Sequence, residues 1–302
     1  MTGAGDRLRR FLFEDAPVRG HWVRLDDAWR QAREHQSLQP ASVSLLGEAL
    51  AACSLLAGSL KFQGTLSLQL RESQGGISML IAQATDSLGI RGVVHEAAGG
   101  SSPGASFNEL TRGGQLVVTV ERGSAVAPWQ GIVPLDGSSL AACLESYFAV
   151  SEQVPTAMVL AADVHGAAGL LLQKLPTSAG AGEGEEARVH DIWEEAVLRL
   201  RTLQGEELLQ LDAQVLLRRL FSNESLRLFE GEPVRFSCRC DRERVSAMLK
   251  GLGSAEVDSI IAEQGAVTVT CEFCQRPYRF DIVDVQQLFL EAPGSEGSQR
   301  LN

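Results

Sequence analysis

Apolar and polar residues alternate in four stretches of the chain: RGHWVRL (19–25), GTLSLQL (64–70), GQLVVTVER (114–122) and TAMVLAADV (156–164). A period of two turns one face of each toward a core and predicts strands of a sheet. Between them the period lengthens. ASVSLLGEALAACSLLAGSL (41–60) sets Leu45, Leu46, Ala49, Leu50, Cys53 and Leu56 at helical spacing. SSLAACLESYFAVSEQ (138–153) does the same with Leu140, Cys143, Leu144, Tyr147 and Phe148, behind a serine cap. Residues 1–176 therefore read as one α+β domain of mixed sheet with helices.

The pattern breaks at PTSAGAGEGEE (176–186), where glycine, alanine and glutamate run without apolar anchors and mark a flexible boundary. A helical connector follows to residue 230, so that boundary and connector together span 177–230. Ile192, Trp193, Ala196, Val197 and Leu200 form an amphipathic stripe, and DAQVLLRRLF (212–221) offers a second helix with Asp212 as its cap. Eleven leucines fall between Leu198 and Glu230, and residues 183–230 hold eleven acidic and six basic side chains, a net of −5. Beyond lies a smaller unit, 231–292. DRERVSAMLKGL and SAEVDSIIAEQG read as helices capped by Asp241 and Ser254, VTVT and PYRFD as strands, and IVDVQQLFL as a last helix. The polar tail, 293–302, is expected to be disordered.

A chain of 302 residues is long for a single core, which agrees with this division. Its net charge of −11 argues against a nucleic-acid binder, which needs a basic face. The first residues lack the apolar run of a signal peptide. The longest uncharged apolar run near the front, ALAACSLLAGSL between Glu48 and Lys61, is 12 residues, short of the roughly 18 of a membrane span. A cytoplasmic location is expected, with thiols kept reduced, and clustered cysteines there point to metal or redox chemistry.

Four of the six cysteines stand in two close pairs, Cys238–Cys240 in FSCRCDRERV and Cys271–Cys274 in VTVTCEFCQRPYRF, with 30 residues between the pairs. Two readings compete: four ligands of one metal, or two redox-active thiol pairs. In an extended segment, side chains two apart point the same way, and a C-x-x-C turn between strands also converges its sulfurs. Four thiolates suit a tetrahedral, borderline-soft ion, zinc by default. A thioredoxin-type motif opens a helix, which depresses its first thiol's pKa; here Pro277 and the alternation of Tyr278, Arg279 and Phe280 predict a strand. A small unit is marginal without a staple, and structural zinc supplies roughly 10–16 kcal/mol of apparent binding free energy that doubles as folding free energy. Oxidising the thiolates removes those ligands, so a metal-held cluster can be an oxidation switch without being an enzyme active site. Cys53 and Cys143, on apolar helical faces, read as small buried hydrophobes.

Other motifs carry less. GSSPG (100–104) matches the nucleophile-elbow pattern around Ser102, but Pro103 has no N–H for an oxyanion hole, so the segment reads as a loop. His21, His35, His95, His165 and His190 show no metal-ligand spacing. Gly251–Gly253 reads as a helix end rather than a dinucleotide fingerprint. There is no Walker A sequence and hence no sign of nucleotide use.

LLGEALAACSLLAGSLKFQGTLSLQL (45–70), QGIVPLDGSSLAACLESYFAVSEQVPT (130–156), and C-x-C followed 30 residues later by C-x-x-C, with RERV and YRFD after the pairs, resemble the heat shock protein 33 family over nearly the whole chain. The resemblance implies a redox-regulated, ATP-independent holding chaperone, not an enzyme. It implies one zinc held by Cys238, Cys240, Cys271 and Cys274 in the reduced, inactive form. On oxidation it implies disulfides Cys238–Cys240 and Cys271–Cys274, metal loss, unfolding of the C-terminal unit and connector, homodimerisation and binding of unfolding clients. Gln275 departs from the pattern, standing where the family often carries glycine or a small residue, which bears on the turn and so on zinc affinity or oxidation threshold. Two alternatives predict otherwise. A zinc-ribbon module binding nucleic acid or protein would not respond to oxidant, and a thiol-disulfide oxidoreductase would turn over a dithiol without zinc.

Overall fold

The computed structural model of the chain describes residues 5–71, 73–100, 102, 104–122, 127–176 and 182–290. The tail at 293–302, residues 177–181 of the expected boundary and Pro103 lie outside them. The described residues form two units, one up to Ser237 and one from Cys238 onward.

The first unit starts with the hairpin β1 (Arg7–Phe13) and β2 (Val18–Leu25), then α1 (Asp27–Arg33) and α2 (Pro40–Ser59). The Asp6 carboxylate accepts from the backbone N–H groups of Asp26, Asp27 and Ala28 at 2.5–3.1 Å, satisfying the free donors at the start of α1 from outside the helix. Pro40 opens α2 at the position where a missing N–H costs nothing. Helix α2 runs straight through Glu48, so it is longer than the 12-residue uncharged run implied. By length and composition it could cross a membrane, but 78% of its apolar window is buried among strands. A helix apolar all round is a core helix when protein covers every side.

Two six-stranded sheets enclose it. The next elements are β3 (Thr65–Arg71), β4 (Ile77–Thr85), β5 (Gly89–Glu96), α3 (Phe107–Thr111), β6 (Gln115–Glu121), β7 (Trp129–Val133), α4 (Leu140–Val150), β8 (Thr156–Ala162) and β9 (Ala167–Lys174). The connector supplies α5 (Glu183–Leu200), α6 (Gly205–Gln210), α7 (Ala213–Leu220) and β10 (Leu226–Leu228), and β11 (Glu232–Pro233) and β12 (Arg235–Phe236) follow it. One sheet has the order β10–β1–β2–β9–β8, with β11 also on β1; the other has the order β12–β5–β4–β3–β6–β7. All pairs are antiparallel except β12 with β5. The α+β class expected from the sequence is the one observed, and the four alternating stretches are β2, β3, β6 and β8.

Two differences bear on function. Helix α5 begins at Glu183, inside the stretch read as a boundary. Residues 231–237, assigned from the sequence to the cysteine unit, instead edge both sheets of the first unit: β11 lies on β1 and β12 on β5.

The sheet holding β1, β2, β8 and β9 is covered on both faces. One face meets α2 through Val23, Leu25, Met158 and Leu171. The other carries Phe11, Phe13, Trp22, Leu170 and Leu172 and is covered by Trp193, Ala196, Leu200, Leu208, Leu217, Leu220 and Phe221 of the connector. Phe13 and Phe221 meet edge to face at 5.2 Å between centroids. Gly20 on β2 leaves room for the Phe11 ring, which a Cβ there would strike. Arg201 ties the end of α5 to Glu145 of α4 at 2.6 Å, and Arg219 ties α7 to Glu207 of α6 at 2.7 Å. The side chain of Asp212 accepts from Gln214 N–H, the cap expected for α7.

His21 of β2 is buried with neither ring nitrogen at full hydrogen-bond geometry. Burial first, then Arg19 and Arg10, bring its pKa down to about 4 against a weaker opposing backbone contact at Gly58. A folded value below the unfolded one stabilises the neutral form above pH 6.5 and is lost as pH falls from there toward 4. His21→Leu is expected to remove on the order of 3 kcal/mol of acid sensitivity over that window. Urea midpoints of wild type and variant from pH 7 to 4 measure it; equal acid slopes would contradict the assignment.

Candidate metal centre

In the second unit α8 (Arg242–Leu252) and α9 (Ser254–Gln264) precede the hairpin β13 (Val267–Thr270) and β14 (Pro277–Phe280), and α10 (Ile282–Leu290) closes the described chain. The Asp241 side chain caps α8, accepting from Arg244 N–H at 2.7 Å. Ser254 is not a cap: it is the first residue of α9, and Gly253, at φ +92°, stands before it as the terminus of α8. A positive φ is open to glycine, so one residue ends α8 and starts α9. The core is small: Val245, Leu249, Val257, Ile261, Val267, Tyr278, Phe280, Val285 and Leu288. Arg242 braces it from outside, pairing with Asp284 at 2.8 Å, donating to the Arg279 carbonyl at 2.8 Å and lying over the Phe280 ring at 4.2 Å.

Cys238 and Cys240 precede the α8 cap, and Cys271 and Cys274 occupy the β13–β14 turn. In that turn Gln275 N–H donates to the Cys271 carbonyl at 2.8 Å and Cys271 N–H to the Arg276 carbonyl at 3.0 Å. Gln275 sits at φ +53°, a left-handed conformation that L side chains adopt at a cost of roughly 1–2 kcal/mol. This is the physical content of the departure noted in the sequence. Gln275→Gly is expected to raise the unfolding temperature of the metal-loaded second unit slightly, relieved backbone strain outweighing the added freedom of the unfolded chain. Calorimetry checks this; a lowered temperature would count against it.

The structure brings the four expected sulfurs together. Cys238 and Cys240 Sγ lie 3.3 Å apart, Cys238 and Cys271 3.6 Å, and Cys240 and Cys274 3.3 Å, with all four within 4.8 Å of one another. Zn–S bonds near 2.3 Å give a tetrahedron with edges of about 3.8 Å, so the cluster fits such an ion after small side-chain adjustments. All four cysteines are half-buried free thiols. Burial raises Cys238, and burial with thiol neighbours pushes Cys274 up to about 12. Burial alone would also raise Cys240, but its polar neighbours, Tyr278 and the other three thiols, outweigh it and bring it down to about 7. One sulfur is thus ready to be a thiolate near neutral pH, while Cys238 and Cys274 need a cation to share the charge. Four sulfurs packed this closely are what a metal site of this donor set provides.

Among the described residues no other group of histidine, cysteine, aspartate and glutamate side chains has metal-ligand spacing. Cys53 and Cys143 are buried in the first unit's core as expected, with Cys53 Sγ donating to the Ala82 carbonyl at 3.2 Å and its thiol pushed up to about 12 by burial. Of the histidines, His21 is a core residue, and His35 and His190 lie at the surface beside Glu34 and Glu194. Ser102 belongs to neither helix nor strand. Tyr278, four residues after Cys274 and expected from alternation to be in a strand, is a buried member of the second unit's core.

An α+β unit with an apolar sheet face under a helical connector, followed by a small four-thiol unit, defines the class. Comparison with known proteins agrees. The sequence profile described as Hsp33 protein matches residues 6–281. The 33 kDa chaperonin of Methylobacillus flagellatus is 40% identical over 294 residues, covering 96% of this chain and 98% of its own. That of Azotobacter vinelandii is 44% identical over 296 residues, covering 97% of each. The crystal structure of the Hsp33 homologue of Thermotoga maritima shares the fold at a TM-score of 0.77 and 23% identity, covering 94% of this chain and 98% of its own. The chain belongs to the Hsp33 family of chaperones.

Proposed function

We propose that the protein is a holding chaperone switched on by oxidation. The observation that carries this reading is the joint presence of a four-thiol cluster and a large apolar sheet face covered by chain that leads directly into it. In the reduced protein Cys238, Cys240, Cys271 and Cys274 hold one zinc, which supplies a charge-sharing centre for four thiolates and folds the second unit around them. Hydrogen peroxide takes two electrons from each thiolate pair and departs as two hydroxides, leaving disulfides Cys238–Cys240 and Cys271–Cys274. The cluster then offers no ligand set and releases the ion.

The second unit, with its nine buried core residues, is marginal without that staple. Its loss frees Cys238, two residues beyond β12, so the restraint on residues 226–237 weakens and the connector can peel from β1, β2, β8 and β9. The exposed face, with Phe11, Phe13, Trp22, Leu170 and Leu172, then binds unfolding clients, without nucleotide and without catalysis. Dimerisation of the oxidised form extends the same surface, and the setting is the reducing cytoplasm, where such a switch rests in its off state.

Light scattering of a thermally unfolding client tests the reading. The zinc-loaded reduced protein should leave aggregation unchanged, peroxide with mild heat should make it suppress aggregation, and dithiothreitol should reverse the change. Equal holding by the reduced form would reduce the cluster to a structural zinc-ribbon centre.

A further inference from the structure

Helix α2 is apolar almost throughout, and Glu48 is the only charged residue among its twenty. From Ala41 to Ala57 every position is buried except Ala41, Ser44 and Glu48. These stand at i, i+3 and i+7 and so form one stripe along a single face of the helix. The stripe lines a recess of about 320 Å³, whose opposite wall is Ala105, Phe107 and Leu110 at α3. Glu48 is half-buried there, and its carboxylate makes no hydrogen bond or ion pair among the described residues. No other charged side chain lines the recess. Taking a carboxylate out of water without a partner is costly, and burial pushes the Glu48 pKa up to about 7.

The shape and donor set narrow what would complete such a site. Calcium and magnesium take six or more oxygen ligands, and one carboxylate with one hydroxyl is far short of that. A guanidinium carries five donors in a fixed fork, most of which would face hydrocarbon here. An ammonium carries three donors. Glu48 and the Ser44 hydroxyl one turn earlier can accept two of them and water at the mouth the third, while an alkyl stem covers Phe107 and Leu110.

We propose that this recess binds a primary ammonium carried on an apolar stem, with Glu48 as its counter-ion and Ser44 as its second acceptor. The site belongs to the first unit and uses neither the cysteines nor the sheet face under the connector, so it stands independently of the chaperone reading. Such a group comes as a free alkylamine or as a lysine side chain of another polypeptide.

Methyl spectra of the full, reduced, zinc-loaded chain test the proposal during titration with pentylammonium, with pentanol, and with lysine blocked as its acetyl methylamide. Pentylammonium should shift the methyls of Ala41, Ala105 and Leu110 saturably, at the millimolar affinity expected of so small a ligand. Pentanol has the same stem without the charge and should bind about tenfold more weakly. An alkylammonium keeps its proton from pH 6 to 8, so the pH profile reports the carboxyl. Affinity should fall about tenfold from pH 8 to 6, as the ionised share of a group titrating near 7 falls. Glu48→Gln keeps the size of the side chain and should bind pentylammonium about tenfold more weakly at pH 8, with a flat profile. Blocked lysine binding as tightly as pentylammonium would name a polypeptide as the source, and shifts with pentylammonium alone would name a free amine. No saturable shifts, equal binding of pentanol, or a flat wild-type profile would overturn the proposal. The last three readings need only wild type, so the test stays decisive if the glutamine variant does not fold.

Discussion

Replacing Phe221 with alanine is expected to make the reduced, zinc-loaded protein hold clients without oxidant. Phe221 ends the connector's last helix, is 1% exposed, and packs on Phe11 and Phe13 at centroid distances of 6.3 and 5.2 Å. Truncating a buried phenylalanine costs roughly 3–5 kcal/mol, from lost transfer free energy and the cavity left behind. That loss falls on the contact between connector and sheet, since every partner named belongs to that cluster. A connector that peels locally at lower cost exposes the same sheet face that oxidation is proposed to uncover. Amide exchange over 183–221 should quicken and client scattering should fall in the same sample. Val215→Ala, at a side chain 55% exposed on α7, should change neither. A Phe221→Ala protein with a loosened connector and no holding activity would separate the connector from client binding.

Chelating the metal, or replacing Cys271 with serine, is expected to unfold residues 238–290 while α2 and its enclosing sheets remain. The second unit's core cluster has nine buried residues, against the two large clusters of the first. Domains of this size rarely draw more than about 3–5 kcal/mol from their core, whereas four-thiolate zinc supplies roughly 10–16 kcal/mol of apparent binding free energy. Cys271 anchors the hairpin as well as the cluster, since its backbone bonds both Gln275 and Arg276. Two-dimensional amide spectra of the full chain read the outcome: the signals of α8, α9 and the β13–β14 hairpin should collapse to unfolded positions with the first unit's retained. A chelated protein with those signals still dispersed would show that the small core and the Arg242 brace suffice without metal.

Much of this was legible in the chain because its patterns were local. The alternating strands, the two amphipathic helices of the connector and each of the two close cysteine pairs needed only a dozen or so residues to be read. What escaped depended on partners far away in sequence. Strand β9, AAGLLLQK, is buried along nearly its whole length because α2 covers one side and the connector the other, so no alternation betrays it. Strands β11 and β12 are two residues each and exist only because β1 and β5 receive them, which no window around 231–237 could reveal. Ser254 looked like a cap because serine usually is one, but the left-handed Gly253 occupies that position. The four cysteines that the structure gathers were readable from their spacing, since sulfurs two or three residues apart converge locally.

The most direct measurement follows metal release and connector order in one oxidation experiment. Peroxide is added to the reduced, zinc-loaded protein; a chromophoric chelator reports the metal, pulsed amide exchange reports residues 183–221, and scattering of an unfolding client reports holding. The account predicts that the three signals rise together with one rate and return together with dithiothreitol. Metal release that leaves 183–221 protected and the client aggregating would contradict it.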